Sequence, residues 1–184
     1  MLALLLRSRR CVAALEFGLL APTFVMVFAG VADLGNALYT WSKLEQALAL
    51  GANYALMNKA QVNSTNGLSL ANNIATIVAT SNPGPAANST VVINNGQTAV
   101  VTAGGTPANS GTAANADKYY CLTGAPTNWT WGTAYTDSTT QCTDGSQSGQ
   151  FVTITVSYNF TPFFISYGFV TSGLMRAGAV VQVN

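Results

Sequence analysis

Between Cys11 and Ala32 the chain carries one charged side chain, Glu16, and Arg7, Arg9 and Arg10 stand just ahead of that run. As a helix rising 1.5 Å per residue, Val12–Ala32 would span about 31 Å, the thickness of a bilayer's hydrocarbon core. No basic residue follows until Lys43. Arginines on one side only predict that the N-terminus stays in the cytoplasm and that everything beyond Asp33 is exported. A secretory signal peptide shares some of these features, with Gly30-Val31-Ala32 as a small-residue exit and Asp33 as the first mature residue. Against that alternative, a carboxylate interrupts the apolar run and the apolar pattern continues past Ala32.

Glu16 sharpens the question. A carboxylate in a membrane helix costs about 3 kcal/mol at the bilayer centre and less near an interface. It either reaches the headgroups from the cytoplasmic edge or meets a positive partner within the membrane. No Lys or Arg lies between Val12 and Tyr39. An α-amino group freed by cleavage a few residues upstream would serve.

The segment Arg9-Arg10-Cys11-Val12-Ala13-Ala14-Leu15-Glu16-Phe17 resembles the processing site of class III signal peptides, and in particular that of TadE-like pseudopilins of the tight-adherence (Tad/Flp, type IVc) pilus. The resemblance implies that a prepilin peptidase cuts between Cys11 and Val12, leaving Glu16 and Phe17 as the fifth and sixth mature residues, the assembly and recognition pair. The family usually has Gly before the cut, where this chain has Cys11. Removing the leader arginines would leave four basic and six acidic side chains, changing the side-chain balance from +1 to −2. Ala21-Pro22 after the Glu-Phe pair is also similar to these pseudopilins. In a soluble helix Pro22 would be a breaker, but in a membrane helix it is tolerated and predicts a kink near Gly18–Pro22.

Past Asp33, Leu34, Leu38, Trp41, Leu44, Leu48, Ala52 and Ala55 recur at steps of three or four and predict one apolar helical face. A single helix from about Val12 to Asn58 would be roughly 70 Å long. Its first half would lie in lipid, and its second half would pack on the chain's own sheet or on neighbours. Asp33-Leu34-Gly35 followed by Leu38-Tyr39 again resembles the family at the membrane exit.

Residues 60–116 hold no charge, and 35 of the 91 residues from 60 to 150 are Ser, Thr or Asn. That composition suits an exported, solvated, strand- and loop-rich surface. Disorder usually needs high net charge, which is missing here. Leu70, Ile74, Ile77 and Val78 predict a helix over about 68–80, stopped by Asn82-Pro83-Gly84-Pro85. Thr90–Ile93 and Thr98–Thr102 flank Asn94-Asn95-Gly96 as a hairpin, Lys118–Leu122 is a third strand candidate, and Ala179–Val183 is the last. The alternation from Phe151 to Tyr158 is the clearest strand signal in the chain. The expected fold is α+β: a long N-terminal transmembrane spine helix packed on a small antiparallel sheet with long polar loops. The expected organisation is a leader over 1–11, a transmembrane helix over 12–32, its exported continuation over 33–59 and an extracytoplasmic domain over 60–184.

Cys121 and Cys142 both fall in the exported part and predict a disulfide. Cys11, on the cytoplasmic side, would leave with the leader. Phe151–Phe164, ending in an aromatic-Pro-aromatic turn, and Leu174–Asn184 are similar to the closing segments of TadE-like proteins. Phe160, Phe163, Phe164, Tyr167 and Phe169 are either core beneath the final strands or a patch facing the membrane surface or a neighbour.

Composition also excludes. Seven basic residues, three of them in the leader, make no nucleic-acid interface. The chain has no histidine, and its exported region offers only Asp117, Asp137 and Asp144. No catalytic pair, metal site or cofactor is expected from that set. The leading expectation is therefore a structural minor pilin or pseudopilin in the bacterial inner membrane, N-terminus inside, able to pass into an extracellular pilus. The resemblance implies as partners the prepilin peptidase, other pilin subunits met through the N-terminal helix, the membrane and an inner-membrane assembly platform, with adhesion and biofilm as consequences. The alternatives are a membrane-anchored binding module that enters no filament and a secreted protein cut after Ala32.

Overall fold

The computed structural model describes residues 9–81, 87–164 and 171–183. Most of the expected leader, the Asn82-Pro83-Gly84-Pro85 helix stop, Tyr167 and Phe169 lie outside the described residues. The described residues form two compact units, one within 41–159 and 174–183, the other within 9–40, 160–164 and 171–173. Helix α1 (Arg9–Met57) contributes to both and contains Pro22.

In the larger unit, a five-stranded antiparallel sheet has the order β3-β2-β1-β6-β7. Its members are β1 (Asn88–Ile93), β2 (Gln97–Val101), β3 (Ala108–Gly111), β6 (Phe151–Phe160) and β7 (Gly173–Gln182). A separate hairpin pairs β4 (Leu122–Ala125) with β5 (Asn128–Trp131). β1 sits between β2 and β6, with Val91 opposite both Ala99 and Ile154. Helix α2 (Gly67–Thr80) buries Leu70, Ile74 and Val78, positions four apart that share one face. Those side chains join Val91, Ile93, Val152, Ile154 and Val156 from the sheet, and Leu44, Leu48 and Ala55 from α1, in one core. Each large aliphatic side chain buried this way stabilises by about 2 kcal/mol.

The expected architecture is thus present: a long apolar helix on an antiparallel sheet. Where α1 packs against that core it carries Gly51. A Cβ there would lie 2.6 Å from Val78 Cγ2 and 3.2 Å from Ile154 Cδ1. Only glycine lets the helix backbone come so near.

The hairpin turn behaves as its Asn-Asn-Gly sequence promises. Asn94 and Asn95 both adopt left-handed backbone, φ 47° and 55°, where asparagine is the best-tolerated residue after glycine. The Gly96 N–H donates to the Ile93 carbonyl at 2.7 Å and closes the turn. Asn94 does more than turn the chain. Its buried side-chain amide donates to the carbonyls of Ala116 (2.9 Å) and Lys118, while its Oδ1 accepts the Phe151 N–H at 3.1 Å. Its own N–H donates to the Phe151 carbonyl at 2.8 Å. One neutral side chain therefore joins the hairpin, the 3-10 turn Ala113–Asp117 and the start of β6. Asn94→Ala would take the side-chain partner from the half-buried Lys118 carbonyl and Phe151 N–H, leave the Ala116 carbonyl with its bond from Gln150, and place alanine at positive φ, a cost of about 3 kcal/mol. Urea denaturation should show a lower midpoint with an unchanged slope, and an unshifted midpoint would refute this role for Asn94.

Three elements differ from expectation. Lys118–Leu122 is no strand: Tyr119 and Tyr120 make single bridges to Tyr135 and Gly149, and β4 begins only at Leu122. β7 begins at Gly173, six residues before the apolar cue at Ala179. On α1, Leu34, Leu38 and Trp41 are exposed, whereas Leu44, Ala47, Leu48, Gly51 and Ala55 are buried. The covered face is displaced by one residue in its upstream part, where it is led by Asp33 with Ala37 and Thr40 half-buried.

Candidate functional site

The N-terminal half of α1 is long and apolar enough to cross a membrane, and almost none of it is covered. From Ala14 to Phe28 every residue is exposed except half-buried Ala21, and the first buried position is Ala29. Phe17, Leu19 and Phe28 are each at least 70% exposed. So continuous an apolar surface is costly in water and calls for lipid or other protein around it. Glu16 and Phe17 project from this uncovered stretch, one turn into the helix from Val12. Cys11 and Val12 lie on the helix backbone five and four residues ahead of Glu16.

The smaller unit holds a feature that sequence reading missed. Asp33 is completely buried. The Phe163 N–H donates to its Oδ1 at 2.7 Å, and the Phe164 N–H is shared between Oδ1 (3.3 Å) and Oδ2 (3.2 Å). Two successive backbone N–H groups converging on a carboxylate form a small anion nest. The residue before them, Pro162, is buried and has no N–H to satisfy. A lone acid at the end of sixteen uncharged residues was the available signal, but its partner lies 130 residues away along the chain. Of the aromatic cluster, Phe160 is buried, whereas Phe163 and Phe164 are 72% and 41% exposed. Phe160 is therefore core, while Phe163 and Phe164 stand at the surface.

Cys121 and Cys142 are joined by a disulfide. It closes a loop-rich region whose remaining ties are few. Tyr120 exchanges backbone hydrogen bonds with Gly149 at 2.8 and 2.9 Å and packs edge-on against Trp131, ring centroids 5.5 Å apart.

Three of the larger unit's four acidic side chains, Asp117, Asp137 and Asp144 (the fourth is Glu45), serve as staples. Asp137 accepts from the hydroxyl (2.6 Å) and N–H (2.9 Å) of Thr139, and Asp144 likewise from Ser146 (2.7 and 3.0 Å). Asp117 accepts the Ser64 N–H at 2.8 Å. In each case the neighbouring hydroxyl, then the backbone N–H, holds the acid below its ordinary value.

The geometry defines a class: an α+β protein whose helix continues out of its core as an uncovered, membrane-competent apolar segment. Residues 12–53 match the family model for TadE-like protein, so the resemblance read in the sequence is matched on this helix, from Val12 through the part that enters the core. No curated protein and no solved structure matches the chain.

Proposed function

We propose that the protein is a structural minor pilin or pseudopilin of a Tad/Flp-type pilus. The observation that carries this reading is the family match over residues 12–53, which takes in the apolar, uncovered stretch of α1 and continues into its buried part. On this proposal residues 1–11 are a leader removed by a prepilin peptidase between Cys11 and Val12. Residues 12–32 cross the inner membrane, 33–59 continue the helix outside, and 60–184 complete the extracytoplasmic part. The freed Val12 amine, one helical turn from Glu16, neutralises that carboxylate on its own or an adjacent subunit. In a medium of low dielectric the attraction is strong, whereas an unanswered carboxylate is costly. Apolar surface leaving lipid for the filament interior then packs subunit against subunit, with Pro22 giving the helix a bend to adapt to its neighbours. The assembly platform in the inner membrane would supply the subunits to the fibre, and attachment to surfaces would follow.

N-terminal sequencing of the protein from a strain that makes the pilus tests the first step. Val12 is the expected start. Met1 would leave a tethered ectodomain that enters no filament, and Asp33 would mean a secreted protein.

A further inference from the structure

We infer that the Thr161–Phe164 turn is a second membrane contact, resting its two phenylalanines in the outer lipid–water interface beside the exit of α1. The inference rests on the reading of α1 as a membrane span. Asp33 is the first charge after Glu16, so it marks where the apolar run ends. Helical side chains lean toward the N-terminus, so the Asp33 carboxylate covers the turn ahead of its own Cα, at the level of Ala29–Ala32. Ala29, one turn before Asp33 on the same face, is buried, as are Asp33 and Pro162. The Phe163 and Phe164 N–H groups are held on that carboxylate. The turn is thereby fixed at the height of the last apolar residues of the span and not out in the solvent. Yet Phe163 and Phe164 point outward, 72% and 41% exposed, and α1 at this level also exposes Val31 and Leu34.

Apolar side chains at this depth insert into the headgroup–acyl boundary, a few ångströms into the bilayer. Asp33 is then a positioning residue. Its charge is answered by backbone N–H groups, so it sits at the membrane boundary without needing a cation. The occupant of the patch is the outer-leaflet interface itself, because covalent continuity with the span brings that surface to the two rings.

The test uses a nitroxide at Phe163→Cys in the Cys11→Ser full-length chain with the Cys121–Cys142 disulfide intact, reconstituted in phosphatidylcholine–phosphatidylglycerol vesicles. Labels at Val25→Cys and Thr106→Cys serve as references for the span and for water. Collision with oxygen against a nickel chelate reports depth. The Phe163 label should show a ratio several-fold above that at Thr106 and below that at Val25. A ratio equal to that at Thr106, with Val25 still lipid-shielded, overturns the inference and leaves the span intact. A nickel-accessible Val25 label overturns the membrane reading of α1 itself. Spin–spin broadening at Phe163 that vanishes on dilution with unlabelled protein would also overturn the inference, since the patch would then meet a second copy. Asp33→Ala should raise the mobility of the Phe163 label and lower its oxygen-to-nickel ratio, whereas Asp33→Asn, which keeps one acceptor oxygen, should do so less. An unchanged Asp33→Ala spectrum would remove Asp33 as the positioning residue.

Discussion

Glu16→Ala is expected to leave export and membrane insertion at the normal level and to abolish pilus output. Removing one carboxylate makes the helix more apolar, so insertion gains and nothing in the larger unit is touched. Assembly would lose the group that answers the Val12 amine inside the membrane. A charge left without its partner in that setting is strongly destabilising, about 3–5 kcal/mol for a broken buried pair. Spread over every subunit interface of a fibre, a deficit of that size stops elongation. Glu16→Gln should behave similarly, because the amide keeps the shape and loses the charge. The measurement is pili counted by electron microscopy, beside immunoblots of membrane and sheared fractions. Normal piliation in Glu16→Ala would eliminate the charge-neutralisation mechanism.

Cys121→Ser is expected to open the loop region between β5 and β6 to proteases. On the loop-entropy estimate, a disulfide closing about twenty residues contributes roughly 3 kcal/mol. Residues 132–149 are otherwise held by a few backbone bridges, the Ser148 bonds to Asp137 and Thr140, and the Asp137 and Asp144 staples. When cleavage samples an open form, its rate follows the population of that form. At 1.4 kcal/mol per decade, the loss raises cleavage there about a hundredfold. Limited proteolysis followed by mass spectrometry should place the cuts within residues 132–149, while the core around Ile154 remains intact. Equal resistance of the wild-type chain with and without reductant would show that the disulfide does not stabilise this loop.

Elements with a strong apolar period were legible from sequence because burial is what writes that period. α2, β1, β2 and β6 fall within a few residues of their expected bounds. β3, Ala108–Gly111, is exposed at all four residues, so no apolar alternation marks it. β4 and β5 are likewise largely exposed and are held by their own pairing. The stripe on α1 was misjudged upstream of Leu44 for a different reason. Leu34, Leu38 and Trp41 look like a core face, but the face actually covered runs through Asp33, a residue that hydropathy places outside. What overrides hydropathy is the pair of backbone N–H groups at Phe163 and Phe164, and no local pattern announces them. Asn94 was readable as a turn residue, whereas its hold on Ala116, Lys118 and Phe151 depends on segments brought near only by the fold.

The Asn94 hub has a bearing on the medium around the molecule. Its bonds, like that of Ser89 to the Ala75 carbonyl, join uncharged partners, and the core they enclose is made of methyl and methylene groups. Dissolved ions screen attraction between charges and leave amide dipoles at contact distance nearly untouched. Brine and fresh water should therefore grip this unit alike.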